Sequence, residues 1–279
     1  MHTTLSSLRS TQAYLLLFLV SAALIGIYFP ILVGLTQDWS TNDNYSHGYF
    51  IPFISGYMAY SMLGELRKLP SFAANWGLLF LIAGLGQLYI ASVGSEFFLQ
   101  RTSLIPVLLG ISLFLWGTLI TRKLLLPIFY LLFMIPLPAI IWNKIAFPMQ
   151  LFSSAITEEI VRLMGIPIFR EGNVLHLSQT TLEVIDACSG LRSLTTMLAL
   201  AAALAWFTDF TQWKKWALFF LAAPVAILAN IVRLTATAGL ASVYGEKVAQ
   251  GFLHEFSGLF TFVFGLMLLV FLNRLLHKN

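Results

Sequence analysis

Apolar runs of about 20 residues recur along nearly the whole chain, and they constrain the fold more than any other feature. A helix needs roughly 20 mostly apolar residues to cross about 30 Å of hydrocarbon, since each residue advances it by about 1.5 Å. Eight segments meet this requirement: residues 13–35, 47–64, 75–93, 103–121, 124–142, 189–207, 216–235 and 256–273. The sequence therefore predicts an all-α polytopic membrane protein with about eight transmembrane helices.

Composition excludes the other classes of protein. Of the 279 residues, 58% are hydrophobic and 10% are charged, whereas soluble domains carry about 25% charged residues. The single Cys excludes a disulfide framework and a Cys-rich metal site, and a net charge of +4 is too thinly spread for a nucleic-acid surface. No segment is left over for a second domain, so residues 1–279 are interpreted as one domain. The first apolar segment is longer than that of a signal peptide and lacks a convincing cleavage site, so we expect a retained anchor.

The charged residues predict the orientation of these helices. With the N-terminus in the cytoplasm, the inner side receives nine basic and two acidic residues, and the outer side receives seven basic and ten acidic ones. Cytoplasmic loops are enriched in Lys and Arg. Both termini are therefore predicted to be cytoplasmic, and the long connection between the fifth and sixth spans is predicted to lie outside.

This outer connection has its own patterns. Residues 147–164 show helical spacing of apolar side chains, which indicates either an interfacial amphipathic helix or an ordinary packed loop helix, and Glu158 and Glu159 are interpreted as its solvated face. Short apolar runs flank turn signals at Gly172-Asn173 and Ser178-Gln179 and predict small strands. Their apolar members are Phe169, Val174, Leu175, Leu177, Leu182, Val184 and Ile185. A small extramembrane cap is thus expected just before Cys188.

Cys188, Arg233 and His254 are predicted to lie at one depth, the outer membrane boundary, when helix length is counted from the cytoplasmic ends of the last three spans. A thiolate can attack a carbonyl, an imidazole can move protons, and a fixed cation can stabilise an oxyanion. Arg192, one helical turn after Cys188, and the start of the helix both favour the thiolate. Together these residues predict acyl transfer.

Each of the three residues also has a structural interpretation. A lone Cys is often a small packing residue, and Arg233 could form an ion pair with Glu183, Asp186 or Glu255. His254 could be an interfacial surface residue. Their shared depth is what favours the catalytic interpretation.

Two further groups lie on the outer side. Tyr45, Ser46 and His47 follow Trp39 and Asp43 and could line a substrate groove, or form an aromatic interface belt with a turn. His47, His176 and His254 could hold a metal with Asp38 or Asp43, but no ligand spacing such as H-E-x-x-H is present. We therefore expect no metal and no other cofactor.

The chain resembles the exosortases, multipass bacterial membrane proteins related to archaeosortases. The resemblance centres on Glu183-Val-Ile-Asp-Ala-Cys188-Ser-Gly-Leu-Arg192-Ser193 and continues through Asn230-Ile-Val-Arg233-Leu234 to His254 and Gly258. Upstream, Tyr45-Ser-His-Gly48 with Ile51-Pro52, and Arg170-Glu-Gly-Asn173, are also similar to this family. The segment 183–258 is thereby identified as the catalytic core.

The resemblance implies a cysteine transpeptidase or protease, associated with exopolysaccharide production, at the periplasmic face of the bacterial inner membrane. Its substrates would carry a C-terminal motif such as Pro-Glu-Pro, a transmembrane helix and a basic tail, and they would be passed to an unidentified acceptor, an amine, a lipid or water. The implied catalytic residues are Cys188, Arg233 and His254, supported by Arg192, Ser189 and Asn230. Substrate contacts are expected at Tyr45, Ser46, His47 and Glu183.

Two other functions stay open from the residues themselves. The apolar bundle with an intramembrane Arg233 also suits a transporter or flippase for a lipid-linked saccharide, although the internal repeat typical of transporters is not seen. A metal-dependent membrane hydrolase is the third possibility. Membrane lipid is an expected partner and nucleic acid is not.

Overall fold

The computed structural model describes residues 2–178, 180–184, 191–245 and 252–278, which are mostly helical. The helices are α1 (His2–Thr41), α2 (Ile51–Ser61), α3 (Leu63–Leu66), α4 (Gly77–Val93), α5 (Phe97–Thr102), α6 (Leu104–Trp116), α7 (Thr118–Tyr130), α8 (Ala139–Leu163), α9 (Leu191–Phe207), α10 (Gln212–Tyr244) and α11 (Phe252–Lys278). Two 3-10 segments, Asp43–Tyr49 and Leu131–Met134, lie between α1 and α2 and between α7 and α8. The helical fold class is confirmed.

Four described segments are long and apolar enough to cross a membrane: Leu15–Thr41, Phe97–Trp116, Gln212–Tyr244 and Gly258–His277. A fifth candidate is the helix pair Thr118–Met134 and Ala139–Leu163, if the two, which are bent by 82° relative to each other, are counted as one span. Two further helices are apolar but shorter, Gly77–Val93 and Arg192–Phe207. The predicted second span, 47–64, begins within the 3-10 segment Asp43–Tyr49 and contains the 11-residue helix α2. The number of eight spans therefore stays a prediction.

Two predicted boundaries were wrong. The fourth and fifth spans were separated at Arg122, but the chain breaks at Gly117, whose φ of 83° is in the left-handed region that favours glycine. The fifth span was expected to reach Trp142, but the helix gives way near Met134, because Pro136 and Pro138 cannot continue it, and Trp142 belongs to α8.

The N-terminal half is built on close contact between α4 and α6. A Cβ atom added to Gly110 would lie 2.5 Å from the backbone nitrogen of Leu81, and one added to Gly77 would lie 2.6 Å from that of Phe114. Small residues permit such close approach of membrane helices. Helix α1 packs beside this pair, where the Tyr28 hydroxyl hydrogen-bonds Ser103 Oγ at 2.8 Å.

In the C-terminal half, α10 packs against α8, α9 and α11. Its contact with α9 and α11 is formed largely by alanines, among them Ala201, Ala222 and Ala226, all fully buried. The buried face of α8 includes polar Gln150, Ser153, Ser154 and Thr157. The helix predicted over residues 147–164 is confirmed, but it begins earlier, at Ala139, and ends at Leu163.

The predicted strands form an antiparallel three-stranded sheet of β1 (Ile168–Glu171), β2 (Val174–Leu177) and β3 (Thr181–Glu183) in the order β1-β2-β3. Leu175 and Val184 are fully buried with Leu234 of α10, so the sheet covers this part of α10. Arg170 Nε donates to Glu158 Oε2 at 3.1 Å and ties β1 to α8. The prediction of a solvated Glu158 was therefore wrong, while Glu159 is exposed and pairs with Arg162. Ile185 lies outside the described residues.

Candidate functional site at the arginine cavity

A cavity of about 480 Å³ is lined by residues from both halves of the molecule, and we call it the arginine cavity after Arg192 and Arg233. One wall comes from the first 3-10 segment, α2 and α7, and the other from α9, α10 and α11. The described lining residues are Ser46, His47, Phe50, Ile51, Ile54, Tyr130, Arg192, Ser193, Thr196, Ala199, Leu200, Arg233, Gly258, Thr261 and Phe262. Four residues singled out from sequence, Ser46, His47, Arg192 and Arg233, are thus brought together.

The two guanidinium groups dominate the electrostatics of this cavity. Arg192, at the start of α9, pairs with Asp43 of the 3-10 segment at 2.7 Å, and the carboxylate side of this pair is largely exposed. Arg233 is buried on α10, close enough for its positive charge to repel that of Arg192. Two neighbouring cations with mostly apolar walls favour an anionic group, or negative charge that develops during a reaction.

His47 joins the two walls through its ring nitrogens. Its Nε2 lies 3.2 Å from the carbonyl oxygen of Phe133, and its Nδ1 lies 3.3 Å from Thr196 Oγ1 on α9. The 3-10 segment lies outside the four candidate spans, and there burial lowers the pKa of His47 from its ordinary 6.5 by disfavouring the imidazolium. Because a carbonyl only accepts, a neutral ring must carry its proton on Nε2, and Nδ1 is then an acceptor. The Arg192 carbonyl oxygen lies 2.9 Å from Thr196 Oγ1, so it competes with Nδ1 for the single proton of the Thr196 hydroxyl.

Three other predicted residues do not line the cavity. Tyr45 is buried against Trp142, and its hydroxyl oxygen accepts from the backbone N–H of Leu137 at 3.0 Å. Burial raises the pKa of Tyr45 to about 12. Asn230 is buried one helical turn before Arg233, and Glu183 is exposed at the end of β3. Their predicted roles stay predictions.

The predicted nucleophile and its neighbour, Cys188 and Ser189, lie outside the described residues. Cys188 precedes Arg192 by four positions in the sequence. His254 belongs to α11, one helical turn before Gly258, which lines the cavity. Helix α9, which follows Cys188, helix α10, which contains Arg233, and helix α11, which contains His254, therefore all contribute to the arginine cavity.

Sequence reasoning missed several cavity residues. Thr196 follows Arg192 by one turn, so the i,i+4 relation could have placed both on one helix face. Asp43 was considered as a metal ligand or part of a groove, not as the partner of Arg192. Tyr130, whose hydroxyl donates to the Ala199 carbonyl at 3.1 Å, carries no sequence signal because it is one aromatic residue among many in an apolar run. Within the described ranges, no group of three His, Cys, Asp or Glu residues is placed to hold a metal.

Comparison with known proteins decides the family. The sequence model of the family described as Transmembrane exosortase (Exosortase_EpsH) matches residues 39–271. The chain belongs to the exosortase family. This exosortase is a multi-pass membrane protein, and the match covers every described residue that lines the arginine cavity. Searches of curated proteins and of solved structures each gave no match.

The ion pairs of this exosortase agree with the predicted grouping of charges by membrane side. Each of the described pairs joins residues predicted for one side, as in Arg101–Asp38 at the outer side and Lys123–Glu65 at the inner side. The assignment of the inner side to the cytoplasm stays a prediction.

Proposed function

We propose that this exosortase is a cysteine transpeptidase that cleaves C-terminal sorting signals of exported proteins at the periplasmic face of the bacterial inner membrane. The proposed nucleophile is Cys188, the proposed acid and base is His254, and the proposed oxyanion-stabilising cation is Arg233. The substrate would carry a short outer motif, one transmembrane helix and a basic tail.

One observation carries the proposal more than any other. The arginine cavity is lined by α9, α10 and α11, the elements that follow Cys188, contain Arg233 and contain His254, respectively. These positions are separated by up to 66 residues in the sequence, yet their helices line one cavity. The membership of the chain in the exosortase family supports the same assignment.

The proposed reaction has two halves. The Cys188 thiolate attacks the scissile carbonyl carbon, and Arg233 stabilises the oxyanion of the tetrahedral intermediate. His254 donates a proton to the leaving amine as the C–N bond breaks, which leaves an acyl-enzyme thioester. An acceptor nucleophile, an amine, a lipid hydroxyl or water, then attacks the thioester. His254 takes its proton, and the thiolate leaves.

The remaining cavity groups suit substrate positioning in this proposal. Asp43 neutralises Arg192 from an exposed position, so an acidic group of the substrate could replace it without a buried carboxylate having to move. His47 and Ser46 form the opposite wall. Tyr45 supports that wall from behind, since its ring packs on Trp142. Ser189, Asn230 and Glu183 are assigned supporting or substrate-contact roles on the family resemblance alone.

The test is co-expression of the full chain with a reporter protein that ends in a Pro-Glu-Pro motif, a transmembrane helix and a basic tail. Cleavage is followed by the change in reporter mass. We expect wild-type protein to process the reporter and Cys188→Ala to leave it intact while accumulating normally in the membrane. Processing that continues unchanged in Cys188→Ala would refute a cysteine mechanism.

A second pair of variants separates catalysis from general loss of charge. Arg233→Gln should reduce processing by a factor of about 100 or more, the loss typical of removing an oxyanion donor. Arg274→Gln removes the same charge from an exposed site on α11 outside the arginine cavity, and it should process like wild type. Equal loss in both variants would contradict the role of Arg233.

A further inference from the structure

A second cavity of about 850 Å³ runs along the outside of the bundle between α7 and the pair α9 and α10. Its walls are apolar and aromatic, formed by Leu126, Phe129, Phe133, Trp216 and Phe219, and its polar residues are Glu65, Arg122, Lys123, Gln212 and Lys215. We call it the basic groove. Tyr130 lines both this groove and the arginine cavity, whereas Arg122 lies about 12 Å further along α7.

Positive charge in the basic groove exceeds negative charge. Three cations, Arg122, Lys123 and Lys215, face one carboxylate among the described lining residues, that of Glu65. The Lys123 ammonium forms an ion pair with this carboxylate, with 3.3 Å between Nζ and Oε2. No carboxylate in the described part of the chain lies within ion-pair distance of Arg122 or Lys215. Two cations are therefore left for an external anion.

The surroundings of these cations are those of a lipid-facing surface. The Lys215 ammonium lies 6.0 Å above the Trp206 ring, and the adjoining Trp216 is 60% exposed. Phe129, on the opposite wall, is 44% exposed. In a membrane protein, such exposed apolar side chains contact acyl chains, while a Lys or Arg at the end of the span reaches the headgroup region.

We propose that the basic groove binds an anionic phospholipid, with its phosphate near Arg122 and Lys215 and its acyl chains against the aromatic walls. Basic pockets between membrane helices are suited to anionic headgroups. A transmembrane helix that ends in a basic cluster would instead place like charges beside these cations. A zwitterionic lipid would bring its own cation. The proposal does not depend on the proposed enzymatic activity.

The experiment is native mass spectrometry of the full-length, detergent-purified protein titrated with dioleoyl phosphatidylglycerol or with dioleoyl phosphatidylethanolamine. Each nearby cation contributes about a fivefold gain in affinity for an anionic lipid. We expect phosphatidylglycerol to bind at least tenfold more tightly than phosphatidylethanolamine. Arg122→Gln and Lys215→Gln should each weaken phosphatidylglycerol binding about fivefold, and the double variant about 25-fold.

Arg274→Gln is the matched control, because it removes one exposed cation that is predicted for the same membrane side and lies outside the groove. It should bind phosphatidylglycerol as wild type does. Equal affinity for the two lipids, wild-type affinity in the double variant, or an equal loss in Arg274→Gln would each overturn the proposal. Binding of a transmembrane peptide with a basic tail that is lost in the double variant would assign the groove to a protein helix instead.

Discussion

Replacing Gly48 by Ala tests whether the first 3-10 segment is held in place by Trp39. The indole of Trp39 lies directly against Gly48, so an added Cβ would be 2.6 Å from both Cδ1 and Cε2 of the ring. Ordinary contacts begin at 3.4 Å, and the ring's Nε1 lies still closer to the added Cβ, so the ring would have to move by about 1 Å. The Trp39 Nε1–H also donates to the carbonyl oxygen of Met134 at 2.8 Å. A hydrogen bond of this length is lost when the atoms separate beyond about 3.5 Å.

The expected cost has two parts. Overpacking of a buried contact costs about 1–3 kcal/mol, and leaving a buried donor and acceptor unpaired costs about 1–3 kcal/mol. Gly48→Ala should therefore lower the free energy of unfolding by about 2–6 kcal/mol. It should also reduce reporter processing, because the displaced segment carries Ser46 and His47 of the arginine cavity.

The assay is reversible unfolding of the purified protein in mixed detergent and SDS micelles, with Gly56→Ala as the matched control. An added Cβ at Gly56, in α2, meets nothing within 4 Å. That variant should be neutral or more stable by up to about 1 kcal/mol, since Ala restricts the unfolded chain. If Gly48→Ala and Gly56→Ala unfold alike, the packing argument is refuted. In a Trp39→Phe background, Gly48→Ala should cost less, because the smaller ring leaves space.

Three further outcomes are expected in the same unfolding assay. Burial lowers the pKa of His47, so below pH 6.5 the unfolded chain takes up a proton that the folded chain does not. The free energy of unfolding should therefore fall as the pH drops below 6.5, by at most about 1.4 kcal/mol per pH unit. His47→Asn should flatten this decline, and an unchanged slope would contradict the assignment. Gly117→Ala should lower the free energy of unfolding by about 2 kcal/mol or more, because φ is 83° at this position and the new Cβ would overlap the Phe72 carbonyl oxygen. Wild-type stability of this variant would disprove that overlap. Arg101→Gln should lower the free energy of unfolding by about 1–2 kcal/mol, since Arg101 is mostly buried and pairs with Asp38 at 2.6 Å. In an Asp38→Asn background this loss should disappear.

The local elements follow from patterns that act over a few residues. The long apolar runs predict α1, α10 and α11 because a helix satisfies its own backbone hydrogen bonds in lipid. Gly172, with a φ of 64°, and Asn173 form the turn between β1 and β2 that their residue types predict. Pro136 and Pro138 mark the end of the preceding helical segment, although the long apolar run concealed this break.

The helix neighbours could not be predicted in this way. In a soluble helix the apolar stripe marks the buried face, but in a membrane segment nearly every face is apolar and the stripe is lost. The glycine contacts between α4 and α6 become recognisable only when the two helices are placed together. The same holds for Glu158, which looked solvated until β1 brought Arg170 to it.

The sequence by itself determined that this is a helical membrane protein with a small sheet, and its motifs indicated the exosortase family that the family match confirms. It also singled out Arg192, Arg233, Ser46 and His47. Only the tertiary structure decided that these four line one cavity, that Asp43 neutralises Arg192, and that Thr196 meets His47 across 149 positions of the sequence. The reason is physical: helix formation depends on neighbouring residues, whereas a cavity depends on which helices pack together, and side-chain shape and small residues spread over the whole chain determine that packing.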